Sequence, residues 1–364
     1  MNLVKILLAV LLLSGTAVAE KEPSGIAAES GTLADLAPNG AWVWHTDPVT
    51  VWHKERLFFA YVDSAQKAIM LSSFDPASGS VYPIEISTTN SIYVDSHDHP
   101  AIAVLPDDTL YLTYNRHMAD QGFFHRRSLE PTPESIDDLS DEAFFEFPSE
   151  KLTCYANLYY LEDEQRLHHF LRWLDMKPTW QTSDDLGKTW SEPQIVVTNS
   201  AWRPYVHYAS NGRDRIDMIY TDGHPRNQKN SVYHMFYKGD AFHKSDGAEL
   251  AEVGTLPVQN DENGGTVIYP YSEKAWAEGQ GIHDWIPGGI GWVWDIEYAE
   301  NGEPVCVISV RKPPAEGEAD NNGRIYYYYA WWTAETGWQK RCIAKAGNQL
   351  HEWEQDFAGG ICLD

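Results

Sequence analysis

Imidazole, phenol and guanidinium side chains recur at one end of successive hairpins in this sequence. Together they would supply a general base, a general acid and an anion-binding group. The stretch DSHDHPAIAVLPDDTLYLTYNRH, Asp95 to His117, carries three histidines at its open end and none along its length. With the turn centred on Asp107, His97 and His117 are equidistant from it and are expected to face each other as a cross-strand pair, Cβ atoms about 5 Å apart. A lone histidine at a hairpin end is ordinarily solvated or hydrogen-bonded, which is the reading for His99 and His125. Two facing imidazoles would repel once both were charged, below about pH 6.5, and so call for a functional reason. In the next hairpin the turn falls between Asp163 and Glu164, and the same arithmetic pairs Tyr155 with Arg172, as a cation–π staple or as a site pair. In a third, Tyr205 and His224 fall near that end, with Arg203 opposite Asp222 as an ion pair or a substrate contact. His45, His53, His168, His169, His207 and His234 read as structural or surface residues.

A glycosidase would need two carboxylates across the scissile bond, and a sialidase an arginine triad with a tyrosine nucleophile. The set found here suits β-elimination from a uronic acid instead. A cation neutralises the carboxylate, a neutral imidazole removes the acidified C5 proton, and a phenol protonates the departing C4 oxygen.

Short aromatic and β-branched strands must position these groups. HPAIAVLPDDTLYLTYNRH, YANLYYLEDEQRLHHFLRW and YVHYASNGRDRIDMIYTDG are each a strand, a polar turn and a returning strand. DPVTVWHKERLFFAYVD and WDIEYAENGEPVCVISVRK repeat the form. A period near about 50 residues with about four strands per unit is that of β-propeller blades. The expected fold is therefore an all-β propeller spanning residues 40–364, with about five blades and the start of a sixth. In one blade TSDDLGKTW, Thr182 to Trp190, fits an Asp-box turn. Asp184 is expected to accept backbone N–H groups, Gly187 to supply a permissive backbone, and Trp190 to pack between strands. The final DFAGGICLD reads as the opening strand of a further blade, so the chain is expected to stop inside the propeller.

Residues 1–19 read as a signal peptide, a lone Lys5 followed by an apolar run and AVA, and residues 20–39 as a linker. A secreted or periplasmic, monomeric protein without a membrane partner is expected. The net charge of −26 excludes nucleic acid as a partner, since phosphate binding is driven by Lys and Arg. Nine of the thirteen arginines lie between Arg116 and Arg226, which allows a local cationic site within an acidic shell. The four cysteines have no metal-type spacing, and their pairing stays open.

The segments HDHPAIAVLPDDTLYLTYNRH, CYANLYYLEDEQRLHHFLR, QTSDDLGKTWSEP, RPYVHYASNGRDRIDMIYTDGHPRN, SVYHMFYKGDAF and VWDIEYAENGEPV resemble the BNR-repeat family that includes propeller-type ulvan lyases. The resemblance covers nearly all of the chain after the leader. It implies a seven-bladed propeller that cleaves a sulfated, uronate-containing polysaccharide by β-elimination, with catalytic roles matched by His97, His117, Tyr155 and Arg172. A later substrate-binding tyrosine and histidine match Tyr205 or Tyr208 and His224. No cofactor is expected for the chemistry; a structural divalent cation occurs in some relatives, its ligands unassigned on this chain. The competing readings are a sialidase-like glycoside hydrolase and a non-catalytic glycan-binding propeller whose aromatic rim stacks sugars.

Overall fold

The computed structural model describes residues 36–89, 94–117, 119–149, 152–314, 324–351 and 354–363. The expected signal peptide and nearly all of the expected linker lie outside them. The described residues are built almost wholly of antiparallel strands, in five successive sheets, with one further two-stranded parallel pair, Val197–Thr198 with Val258–Gln259. Each opens with one of the five hairpins read from the sequence. Their first two strands are Thr50–His53 with Arg56–Asp63, Ala101–Val104 with Leu110–Tyr114, Cys154–Leu161 with Arg166–Arg172, Val206–Ser210 with Ile216–Thr221, and Ile290–Tyr298 with Pro304–Arg311. No helix among the described residues is long and apolar enough to cross a membrane.

Burial follows from sheets packed on both faces. The second strands Leu110–Tyr114 and Ile216–Thr221 are buried at every position, so they show no alternation of buried and exposed residues, and their few polar side chains, such as Asp217, are buried with them. The outermost strand Gly337–Gly347 has no buried residue and is polar on one face. The apolar clusters lie between consecutive sheets: Phe58, Leu71 and Ile84 meet Ile102, Leu110 and Leu112; Tyr111 and Phe123 meet Leu158, Leu167 and Trp173; Phe170 and Trp180 meet Tyr208, Met218 and Tyr237. Each such side chain contributes about 1.5–3 kcal/mol on full burial, so inter-sheet packing is the main stabilising term.

The segment leading into the first hairpin, after the edge strand Gly40–Ala41, lies against the inner strands. Pro48 O accepts from Ile102 N at 2.9 Å, Asp47 O from Leu158 N at 3.0 Å, and the Trp44 ring stacks on Trp294 at 4.5 Å. This seats His45 in the interior.

The Asp-box turn is present, shifted by one residue from expectation. Asp185 accepts the Thr189 N–H at 2.8 Å and the Thr189 hydroxyl at 2.6 Å, while Asp184 is exposed and pairs with Arg166. Counting from Ser183 restores the motif's spacing to its glycine. Gly187 holds φ +85°, and Tyr111 donates to its carbonyl at 2.9 Å; a Cβ there would sit 2.3 Å from the Tyr111 ring. Trp190 packs edge-on against Phe123 at 5.5 Å.

The expected terminal strand is not one: residues 356–363 are irregular. They are nonetheless packed. Phe357 stacks on Trp292 at 5.3 Å, Asp356 accepts from Arg311 at 2.7 Å, and Leu363 N donates to Asp295 at 2.8 Å. All four cysteines are free thiols.

Candidate active site

His97 and His117 do come together, by a different route from the expected cross-strand pairing. The strands begin only at Ala101 and end at Tyr114, so neither histidine is on the ladder. A short 3-10 turn, Ser96–Asp98, carries His97, capped by Asp95 accepting the His97 N–H at 3.0 Å. Buried Asp98 accepts the His117 N–H at 2.7 Å and fixes the returning end. The two rings stack with centroids 4.3 Å apart and planes 17° from parallel.

Asp95 was not singled out from the sequence, yet it organises the pair. One carboxylate oxygen takes His97 Nδ1 and the other His117 Nδ1, the latter at 2.8 Å. A carboxylate only accepts, so in the neutral pair each Nδ1 carries the proton and each Nε2 presents a lone pair. Burial opposes the Asp95 charge, but the hydrogen bonds from His117 and His97 outweigh it and hold this carboxyl well below the usual range. Burial lowers His97 below an ordinary imidazole despite Asp95, which keeps it neutral and basic near pH 7. The sequence signal for Asp95 was its spacing, D-x-H, in the first of the two arms.

Tyr155 donates its hydroxyl to His97 Nε2 at 3.0 Å. The expected pairing of Tyr155 with Arg172 is off by one residue: Cys154 lies opposite Arg172, and a bulge between Cys154 and Asn157 restores the expected register from Asn157 to Leu161. Tyr155 takes φ +61° within that bulge. The bulge re-aims the phenol toward the histidines while leaving Arg172 4.6 Å over its ring. Arg172 is buried and donates to the Tyr205 hydroxyl at 3.2 Å. The Tyr205 ring meets His224 edge-on at 5.2 Å. Burial, reinforced by Tyr205, pushes the Tyr155 phenol well above 10. Burial, then Arg226, Arg203 and Arg172, push His224 down to about 3.

Two expected members sit apart. Tyr208 packs on Phe170 at 4.5 Å in the core between the third and fourth sheets. Arg203 makes no ion pair with Asp222, which accepts from Ser231 N at 2.8 Å and from the Tyr233 hydroxyl at 3.0 Å. Held at φ +60°, Arg203 instead lies 4.2 Å over the exposed Trp202 ring, with a buried Nε that has no partner. His45, read as structural, lies under the site: its ring is 5.1 Å from Tyr155, 4.8 Å from Tyr205 and 4.9 Å from His207.

Other chemistry-bearing groups lie elsewhere. Asp217, His234 and Ser245 form a hydrogen-bonded chain, but all are buried and Ser245 Oγ already accepts from Trp338 Nε1 at 2.8 Å. That chain ties the fourth sheet to the fifth. A cavity of about 610 Å³ opens at the turn end of the hairpins, among Pro106, Glu162, Gln165 and Gly212, and contains none of the catalytic candidates. For metals, Asp95, His97 and His117 offer three ligand atoms within 4.8 Å of one another.

The model of a family described as BNR repeat-containing matches residues 56–346. No curated protein matches the sequence. Among solved structures, one described as a PL25 ulvan lyase is similar at TM-score 0.62 and 14% identity, over 86% of this chain and 74% of that one. The same kind of lyase bound to -[GlcA(1-4)Rha3S]- is similar at 0.60 and 13%, over 84% and 72%. A polysaccharide lyase, Uly1, is similar at 0.55 and 13%, over 88% and 76%. At these identities the likeness is one of propeller fold.

Proposed function

The chain belongs to the BNR repeat-containing family, and from the site its fold carries we propose that it is a secreted polysaccharide lyase acting on a uronate-containing, sulfated glycan. The observation that carries this reading is the contact between His97 Nε2 and the Tyr155 hydroxyl, with Arg172 over the phenol. A base lone pair, an acid proton and a fixed cation thus meet at one point. The similar folds of lyases, one of them holding a glucuronate-containing oligosaccharide, support the same substrate class.

Arg172 neutralises the uronate carboxylate and stabilises the charge that develops on it as the C5–H bond breaks. His97 Nε2 takes that proton, with His117 as its stacked partner on the shared Asp95. The C5 electron pair forms the C4–C5 double bond, the C4–O bond breaks, and Tyr155 gives its proton to the departing oxygen. Imidazolium and phenolate are left 3.0 Å apart, so returning the proton along that hydrogen bond resets both groups. Tyr205 and His224 line the approach to Arg172, and Arg203 on Trp202 offers a second cationic, aromatic contact for a neighbouring sugar. No cofactor enters this chemistry.

A second reading rests on a different set of groups. Burial pushes Asp47 up to about 7, and burial with Asp295 and Asp47 pushes Glu297 up to about 7, as a glycoside hydrolase acid would require. Mass spectrometry of the products separates the two. A lyase yields fragments lighter by one water than those of hydrolysis; fragments of hydrolytic mass that persist in Tyr155→Phe and vanish in Asp47→Asn would replace the first reading with the second.

A further inference from the structure

We propose that Asp95, His97 and His117 form a zinc-binding site, and that zinc held there switches the enzyme off. Two imidazoles and one carboxylate are a ligand set suited to Zn²⁺ and poorly suited to Ca²⁺ or Mg²⁺, which take oxygen ligands. Their ligand atoms already lie within 4.8 Å of one another. A tetrahedral zinc with bonds of about 2.0–2.1 Å sets its ligand atoms roughly 3.3 Å apart, so small side-chain shifts close the site.

The surroundings favour this cluster over the chain's other histidines. His97, His117 and Asp95 keep side-chain exposures of 26%, 18% and 13%, so an ion reaches them from solvent. His45, His99, His168, His169, His207, His224 and His234 are buried, and the remaining, more exposed histidines belong to no cluster of three ligand groups among the described residues. Outer partners are present as well: Asp98 fixes the His117 backbone and the Tyr155 hydroxyl meets His97 Nε2. Three protein ligands leave a fourth position for water, and this cluster forms one wall of the site.

Inhibition follows whichever nitrogen of His97 takes the metal, and it rests on the lyase reading, whereas binding does not. If Nε2 coordinates zinc, the lone pair that would accept the C5 proton is used. If Nδ1 coordinates zinc, the ring's proton moves to Nε2, and the same lone pair is again lost. The ion also sets a positive charge beside the group that must become imidazolium.

Calorimetric titration of the chelator-stripped protein with Zn²⁺, alongside Co²⁺ titration followed by visible absorbance, reads the site without any substrate. One zinc per chain and tetrahedral cobalt bands are expected, with Ca²⁺ producing neither. His117→Ala and Asp95→Asn should each weaken zinc binding by at least about tenfold, the scale on which even an outer partner acts; circular dichroism confirms that the variants are folded. Lyase turnover should fall in step with zinc occupancy and return with chelator. No zinc binding by the wild type, or binding unchanged in both folded variants, overturns the site. Stoichiometric zinc binding with full turnover retained overturns the switch. Zinc binding in a protein that yields no unsaturated product at any metal level leaves the site standing and removes the lyase reading.

Discussion

Removing a single oxygen separates the chemistry of Tyr155 from its packing. Tyr155→Phe keeps the ring beneath Arg172 and beside His45, so the melting temperature should hold. Turnover should drop by about 10²–10⁴-fold, the usual worth of a positioned acid. Retained turnover would transfer the acid role elsewhere. Asp95→Asn acts through the histidines: the amide offers one acceptor where the carboxylate offers two, so one imidazole loses its Nδ1–H partner and its fixed tautomer. The loss should fall on kcat more than KM, which steady-state kinetics would show. The pH profile carries the same signature. Since His97 is lowered, the acid limb of kcat/KM should lie below about pH 6.5, and since Tyr155 is raised, no alkaline limb should appear before about pH 10.

At the scale of the element, the Asp-box turn gives a direct test of how the third sheet is held. In Gly187→Ala the new methyl meets the Tyr111 ring at 2.3 Å on a backbone at φ +85°. A loss of roughly 2–3 kcal/mol is expected from strain plus overpacking, measured by denaturant unfolding. Loss near zero would mean that the turn relaxes freely. The hairpins themselves were legible, because a strand, a polar turn and a returning strand leave a pattern that needs no tertiary information. Symmetry about the turn even gives the correct register for Asn157 to Leu161. It fails at Tyr155, where neither Tyr155 nor Ala156 is a residue that announces a bulge, and inter-sheet packing decides the backbone. It also fails at His97, whose place is set by an Asp95-capped turn and not by the ladder. Which of these residues gather was thus readable from their place at or just beyond the strand ends, while the geometry of the cluster depends on two irregularities outside any periodic pattern. Tyr208 shows the converse: at a regular strand position, packing claims it for the core.

For the whole molecule, the recurrence of one hairpin form identified the propeller, whereas the irregular terminal segment, held by Trp292, Arg311 and Asp295, had no periodicity to reveal it. The folded state also keeps many imidazoles neutral: burial lowers His99 to about 4 and His169 and His207 to about 3, and His224 joins them at about 3. An unfolded chain protonates these near 6.5, so stability is lost as pH falls below that value toward 4. Asp47 and Glu297, raised to about 7, act in the opposite sense, since the folded state takes up their protons first. Asp222, Asp295 and Asp356 are raised by burial too, but His45, His97, His125 and His168 are lowered as well, so among the described residues eight lowered imidazoles stand against five raised carboxylates and the net dependence keeps the sign of the histidines. Urea midpoints measured across this range should fall steadily with acid; a flat profile would contradict the buried neutral imidazoles. The central claim, elimination at the His97, Tyr155 and Arg172 junction, is tested most directly by ultraviolet absorbance during digestion of a sulfated rhamnose–glucuronate polysaccharide. The wild type should generate the conjugated C4–C5 unsaturated uronate continuously, and Tyr155→Phe and Arg172→Met should not; new reducing ends without that absorbance would contradict it.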